Sequence, residues 1–130
     1  MSNHRLINIA RVGEEQGNVD LSNLYAIAGG DEMFVMALLS KMCKALPEAF
    51  TNMDNFCAAQ DWPALKSAAH KAKSTFAYLS LDDMKNRLRD IEHAAMELKD
   101  LDQLPTMVAD AIAIGQGILV HLKAALAKLV

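Results

Sequence analysis

The sequence predicts an all-α fold, an antiparallel four-helix bundle with a short additional helix on its N-terminal side. Three observations predict it. Apolar residues recur three and four positions apart through most of the chain, the spacing that gathers one face of a helix. Hydrophobic residues make up 52% of the sequence and aromatics only 5%, and the abundance of Ala, Leu, Met and Lys favours helix over strand. Breaker and cap residues at Gly29-Gly30, Gln60 to Pro63, Ser80 to Asp83 and Asp100 to Pro105 then divide the chain into segments of helical length. At 130 residues the chain has the size of one domain and can bury a core without disulfides or a metal.

Residues 1–18 lack helical periodicity and read as an arm, leaving residues 19–130 as the domain. The first helix opens at Asp20, a good cap, carries Leu21, Leu24, Tyr25 and Ile27, and stops at Gly29-Gly30. Asp31 caps a long second helix, about residues 32 to 59, striped by Val35, Leu38, Leu39, Met42, Leu46, Phe50, Met53 and Cys57. Pro47 lies inside it and predicts a bend or break, since proline removes one backbone donor and crowds the preceding turn. Asp61 caps the third helix, with Pro63 in its first turn and its end near Tyr78. Ser80 to Asp83 reads as a capping box with Asp in place of Glu, opening a fourth helix through Met84, Leu88, Ile91, Ala95 and Leu98. Pro105 opens the last helix, striped by Met107, Val108, Ala111, Ile112, Ile118, Leu119, Leu122 and Leu126. Gly115 and Gly117 within it mark either a close helix contact or a local irregularity. Helices joined by such short turns bury their stripes most simply as an antiparallel bundle.

The net charge of −3 and pI near 5.7 supply no general electropositive field, so neither nucleic acid nor an anionic membrane surface is an expected partner. Cys43 and Cys57 fall on one helix, separated by roughly 21 Å at ~1.5 Å of rise per residue, too far for a disulfide. Without metal-ligand spacing they read as small buried residues of a reducing compartment. The apolar stretch Leu6 to Ala10 is too short for a signal-peptide core, and no apolar run reaches the ~20 residues of a membrane span. The expectation is a cytoplasmic monomer.

On the third helix, at ~100° per residue, Leu65, Ala69, Ala72, Phe76 and Leu79 converge on one direction, the core face. His70 points roughly 140° away, near Ser67, Ser74 and Ala77, with Lys66 and Lys73 on its shoulder. A neutral imidazole nitrogen is a nucleophile and can accept a phosphoryl group. Lys73, and secondarily Lys66, are within reach to offset the added negative charge, while Ser67, Ser74 and Ala77 leave room for a partner surface. No Gly-rich phosphate loop or metal-binding carboxylate cluster accompanies them, so the phosphoryl donor is expected to be another protein. From spacing alone, an ordinary solvated histidine remains an open alternative.

The run Ala68-Ala69-His70-Lys71-Ala72-Lys73-Ser74-Thr75-Phe76-Ala77-Tyr78-Leu79 resembles the motif of the histidine phosphotransfer (HPt) family, a histidine followed three residues later by lysine and then a small residue. The turn Gly29 to Phe34, the position of Pro47 and the turn Asp61-Trp62 are also similar to that family, so the resemblance covers roughly residues 20 to 125. It implies an HPt-like four-helix bundle whose exposed histidine, here His70, exchanges phosphoryl groups with aspartates on response-regulator receiver domains. It also implies those receivers, or a hybrid sensor kinase, as partners, and no cofactor of its own, the magnesium belonging to the receiver. The family lysine maps onto Lys73. Ser74 and Ser80 stand where the family usually has glycine, and a receiver approaches closely at the first of these. The resulting reading is a phosphorelay carrier without a kinase domain; the alternative is an HPt-like module that binds and inhibits a receiver or kinase without being phosphorylated.

His4, His93 and His121 lack a second ligand at i+4 and read as surface or boundary residues, so no metal site is expected. Met42 and Met53 read as core, and Met33 and Met36 as a candidate extension of the docking surface beside His70. Asp82, Asp83, Lys85, Arg87, Arg89, Asp90 and Glu92 read as a solvated helix face with i,i+3 and i,i+4 pairs. Glu92 has the reach to orient the His70 ring across two packed helices, in a register that sequence leaves open.

Overall fold

The computed structural model describes residues 20–129; the expected arm, with His4, lies outside them. Five helices follow in order: α1 (Ser22–Ile27), α2 (Glu32–Ala58), α3 (Trp62–Tyr78), α4 (Asp82–Glu97) and α5 (Leu104–Leu129). Short turns connect helices that pack on each other, so neighbours run antiparallel. α2 packs on α3 and α5, and α4 packs on the other sides of both, closing a ring of four. α1 leans on α2 at one end, and the Asn23 side-chain amide donates to the Tyr78 carbonyl, tying it to the end of α3.

Local chemistry sets the ends. Asp20 accepts from the Ser22 amide at 2.7 Å, Asp31 from the Met33 and Phe34 amides at 3.0 and 3.3 Å, and Asp61 from the Ala64 amide at 3.2 Å. The stripes meet in one core that includes Leu24, Leu39, Met53, Leu65, Phe76, Leu88, Val108 and Leu122. Cys43 and Cys57 are buried on the inner face of α2, and burial raises both thiols above the usual range. Gly115 resolves as a close contact: a Cβ there would sit 2.5 Å from Phe50 Cζ.

Four expectations change. α2 continues unbroken through Pro47, because the proline faces solvent and the packed inner face holds the helix on both sides of the missing bond. Ser80 does not cap α4. It takes φ +59° as the left-handed residue closing α3, with the Ser80 amide donating to the Ala77 carbonyl at 3.1 Å and the Leu81 amide to Phe76 at 3.0 Å. Leu98 also turns left-handed, at φ +56°, so it leaves the α4 stripe and is 60% exposed, while Ile27 at the frayed end of α1 is exposed as well. Finally, α5 is, among the described residues, a helix long and apolar enough to cross a membrane, with mean hydropathy 1.4. In the bundle it turns Leu104, Val108, Ala111, Ile118 and Leu122 into the core, while most of its apolar stretch stays outside it.

Candidate functional site

Asp61 and Pro63 fix where α3 begins, and the burial of Leu65, Ala69, Ala72 and Phe76 fixes its rotation. That rotation brings Ser67, His70, Ser74 and Ala77 together on the exposed face, as the helical wheel predicts. The His70 side chain is 62% exposed. Lys66 is half-buried one turn earlier and makes no ion pair among the described residues. Met33 is exposed at the start of α2, Met36 is half-buried, and Met42 and Met53 lie in the core.

The ring of His70 is anchored from α4. Its Nδ1 lies 2.8 Å from Oε2 of Glu92, and Lys73 Nζ donates to Oε1 of the same carboxylate at 2.7 Å. Glu92 is 8% exposed and is the buried charged residue of the core. Burial pushes its carboxyl up, but hydrogen bonds from Lys73 and His70, with their positive charge, outweigh that and hold it below the ordinary carboxylate range. An ionised carboxylate only accepts, so Nδ1 carries a hydrogen, which leaves Nε2 as the lone-pair nitrogen whenever the ring is neutral.

Glu92 therefore leaves the solvated face that the charge pattern assigns it. On the α4 wheel it falls roughly 70° from the centre of the Met84, Leu88, Ile91 and Ala95 stripe, a flank position that was the available signal. The rest of that face is solvated, with Arg87 paired to Asp83 at 3.1 Å and Lys85 to Asp82 at 3.6 Å. Lys73, expected beside His70, lies there with its ammonium paired to Glu92.

Among the described residues the other histidines form no second site. His93 is exposed, and His121 Nδ1 is buried with no partner among the described residues. No group of three or more His, Cys, Asp or Glu able to hold a metal occurs among those residues.

Comparison with known families places residues 37–130 on the family model described as Hpt domain. No curated protein matches the chain, and no solved structure does.

Proposed function

Because the chain belongs to the Hpt domain family, whose members are phosphotransfer carriers of two-component systems rather than kinases, we propose that it relays phosphoryl groups between receiver aspartates through His70. The observation that carries this reading is the exposed side chain of His70 with Nδ1 tied to Glu92, which leaves Nε2 as the nitrogen without that partner.

In the forward step the Nε2 lone pair attacks the phosphorus of a receiver aspartyl phosphate in line. The N–P bond forms as the bond to the aspartate oxygen breaks, and the aspartate leaves as carboxylate. The ring gains positive character, which the Glu92 carboxylate stabilises through the Nδ1 hydrogen. Lys73, with Lys66 behind it, offsets the negative charge of the phosphoryl oxygens. Ser67, Ser74 and Ala77 form the floor on which the receiver rests. The return step transfers the group to a second receiver aspartate by the same path reversed. The magnesium this chemistry uses is the receiver's, so the carrier needs no cofactor and works as a cytoplasmic monomer.

The test is to incubate wild-type protein and His70→Gln with a panel of phosphorylated receiver domains and follow acid-labile, base-stable label. Label on the wild type and none on the variant is expected. A wild type that no receiver labels overturns the relay; if receivers still bind it, the phosphorylation-independent inhibitor takes its place.

A further inference from the structure

His70 stands between two copies of one dipeptide, Lys66-Ser67 and Lys73-Ser74. On a helix the spacing puts one pair a turn before the histidine and the other a turn after it, on neighbouring parts of one face. Ser67 and Ser74 are both exposed, and neither side chain makes a hydrogen bond among the described residues. A helical serine often turns its hydroxyl back to the carbonyl four residues earlier. Here the fold uses neither hydroxyl, and both remain as donors beside the histidine.

The two serines are not equivalent. In an α-helix one of the three side-chain torsions runs into the preceding turn, and the other two lean a long side chain back over the turn on its N-terminal side. The turn beneath the His70 ring is therefore the one that carries Lys66 and Ser67, with Cβ atoms about 5–6 Å apart. Ser74 lies behind the ring. Glu92 takes Nδ1 at 2.8 Å, so a phosphoryl group goes onto Nε2, at the edge of the ring far from Cβ. Lys66, half-buried and without an ion pair among the described residues, shares that turn with Ser67.

We infer that the Ser67 hydroxyl donates a hydrogen bond to a phosphoryl oxygen on Nε2 of His70 and so lengthens the life of the phosphohistidine. The inference rests on the relay reading and gives Ser67 a task beyond contact with a receiver. Spontaneous loss of the group is hydrolysis. The water oxygen bonds to phosphorus as the N–P bond breaks, the electron pair returns to Nε2, Nδ1 keeps its hydrogen, and both protons of the water leave with the group as dihydrogen phosphate. In the loose transition state of such a transfer, negative charge drains from the phosphoryl oxygens toward the leaving nitrogen. A donor on those oxygens therefore holds the bound group more strongly than the transition state, and hydrolysis slows. A carrier that leaves one receiver before meeting the next gains time by it.

The test labels the full-length chain at His70 with phosphoramidate, removes the reagent and follows the phosphohistidine by phosphorus NMR with no receiver present. Wild type, Ser67→Ala, Ser67→Thr and Ser74→Ala are compared; alanine favours the helix, so the fold is retained. Ser67→Ala is expected to shorten the half-life about fivefold, the worth of one hydrogen bond to a charged group. Ser67→Thr, which keeps the hydroxyl, is expected to restore it, and Ser74→Ala to shorten it far less than Ser67→Ala does. An unchanged lifetime in Ser67→Ala, an equal loss in Ser67→Thr, or an equal loss in Ser74→Ala overturns the inference. The labelled samples are then offered to a panel of purified receiver domains. Lifetimes in the expected order with no transfer to any receiver overturn the relay and leave the inference standing; transfer with a lifetime indifferent to Ser67→Ala does the reverse. A wild type that takes no label at His70 overturns both.

Discussion

One carboxylate serves two partners: Glu92 holds His70 Nδ1 at 2.8 Å through one oxygen and Lys73 Nζ at 2.7 Å through the other. The arrangement fixes the ring's orientation, selects its tautomer and parks a cation beside the nucleophile while the site is empty of phosphate. In the proposed relay, Nε2 gains a phosphoryl group, Lys73 then has two anions to choose between, and Glu92 is expected to set the approach and the lifetime of the phosphorylated state.

Glu92→Gln keeps a polar side chain near Nδ1 but removes the charge that offsets the imidazolium. Phosphoramidate labelling of His70 is expected to slow by about tenfold, equivalent to ~1.4 kcal/mol of barrier. The same change leaves half-buried Lys73 without its anion, and stability is expected to fall by about 1–2 kcal/mol. Denaturant midpoints give the second quantity and a time course of label the first. Unchanged labelling would remove Glu92 from the chemistry.

Acid dependence follows from the same pair. The Glu92 carboxyl is held below its ordinary value, so the folded state binds its proton less readily than the unfolded chain, whose value is near ~4.3. This contribution to stability is present above that value and is lost as pH falls through the folded value. The stability gap between wild type and Glu92→Gln is therefore expected to hold from neutral pH down to about 5 and to close below about 4. Thermal unfolding of both proteins across that range checks it.

Ser80 shows where local sequence misleads. Ser-Leu-Asp-Asp satisfies the pattern of a capping box, yet the backbone uses Ser80 to close α3, with φ +59°. Ser80→Gly relieves left-handed strain of about 1–2 kcal/mol, partly offset by the greater freedom of glycine in the unfolded chain. A net gain of roughly 0.5–1 kcal/mol is expected in chemical unfolding. A loss would show that the serine hydroxyl holds the turn.

The turn at Ser80 also explains which parts of the site are legible in sequence. The exposure of His70 and the core face of α3 follow from the 3.6-residue period within one element, and the caps at Asp31 and Asp61 from local sequence, whereas Asp20 sits one residue before the cap of α1. The pairing of His70 with Glu92 depends on how far α4 slides and rotates against α3. That register is set by the left-handed closure at Ser80 and by burial of the facing stripes of α3 and α4, which no local pattern encodes. For this reason Glu92 reads in sequence as part of a solvated face with only the reach to orient His70, and its pairing with Lys73 does not read there at all. Leu98 is misread by the same logic, since its place in the period holds only while the helix continues.

Gly115 provides a packing test. An added Cβ would lie 2.5 Å from Phe50 Cζ, 2.8 Å from Phe50 Cε1 and 3.2 Å from Met84 Cε. Phe50 is 3% exposed, so its ring has little room to retreat. Gly115→Ala is expected to cost about 1–3 kcal/mol despite the better helix propensity of alanine. In a Phe50→Leu background the added methyl meets space, and the penalty is expected to shrink in a double-mutant cycle.

Ser74→Gly sets docking against helix stability at one position. Ser74 lies on the exposed face one turn beyond His70, where the proposed docking brings a receiver against its hydroxyl. Glycine in a helix interior is less favourable than serine by roughly 0.5 kcal/mol, so the variant is expected to unfold slightly earlier. Transfer from a phosphorylated receiver is expected to accelerate, mainly through a lower KM, because the receiver's aspartyl phosphate comes closer to Nε2. Phosphoramidate is small enough to pass the serine, so its labelling of His70 should change less than receiver transfer does. Equal acceleration of both would place the effect in the reactivity of the ring, and no acceleration of either would show that the hydroxyl does not obstruct the receiver.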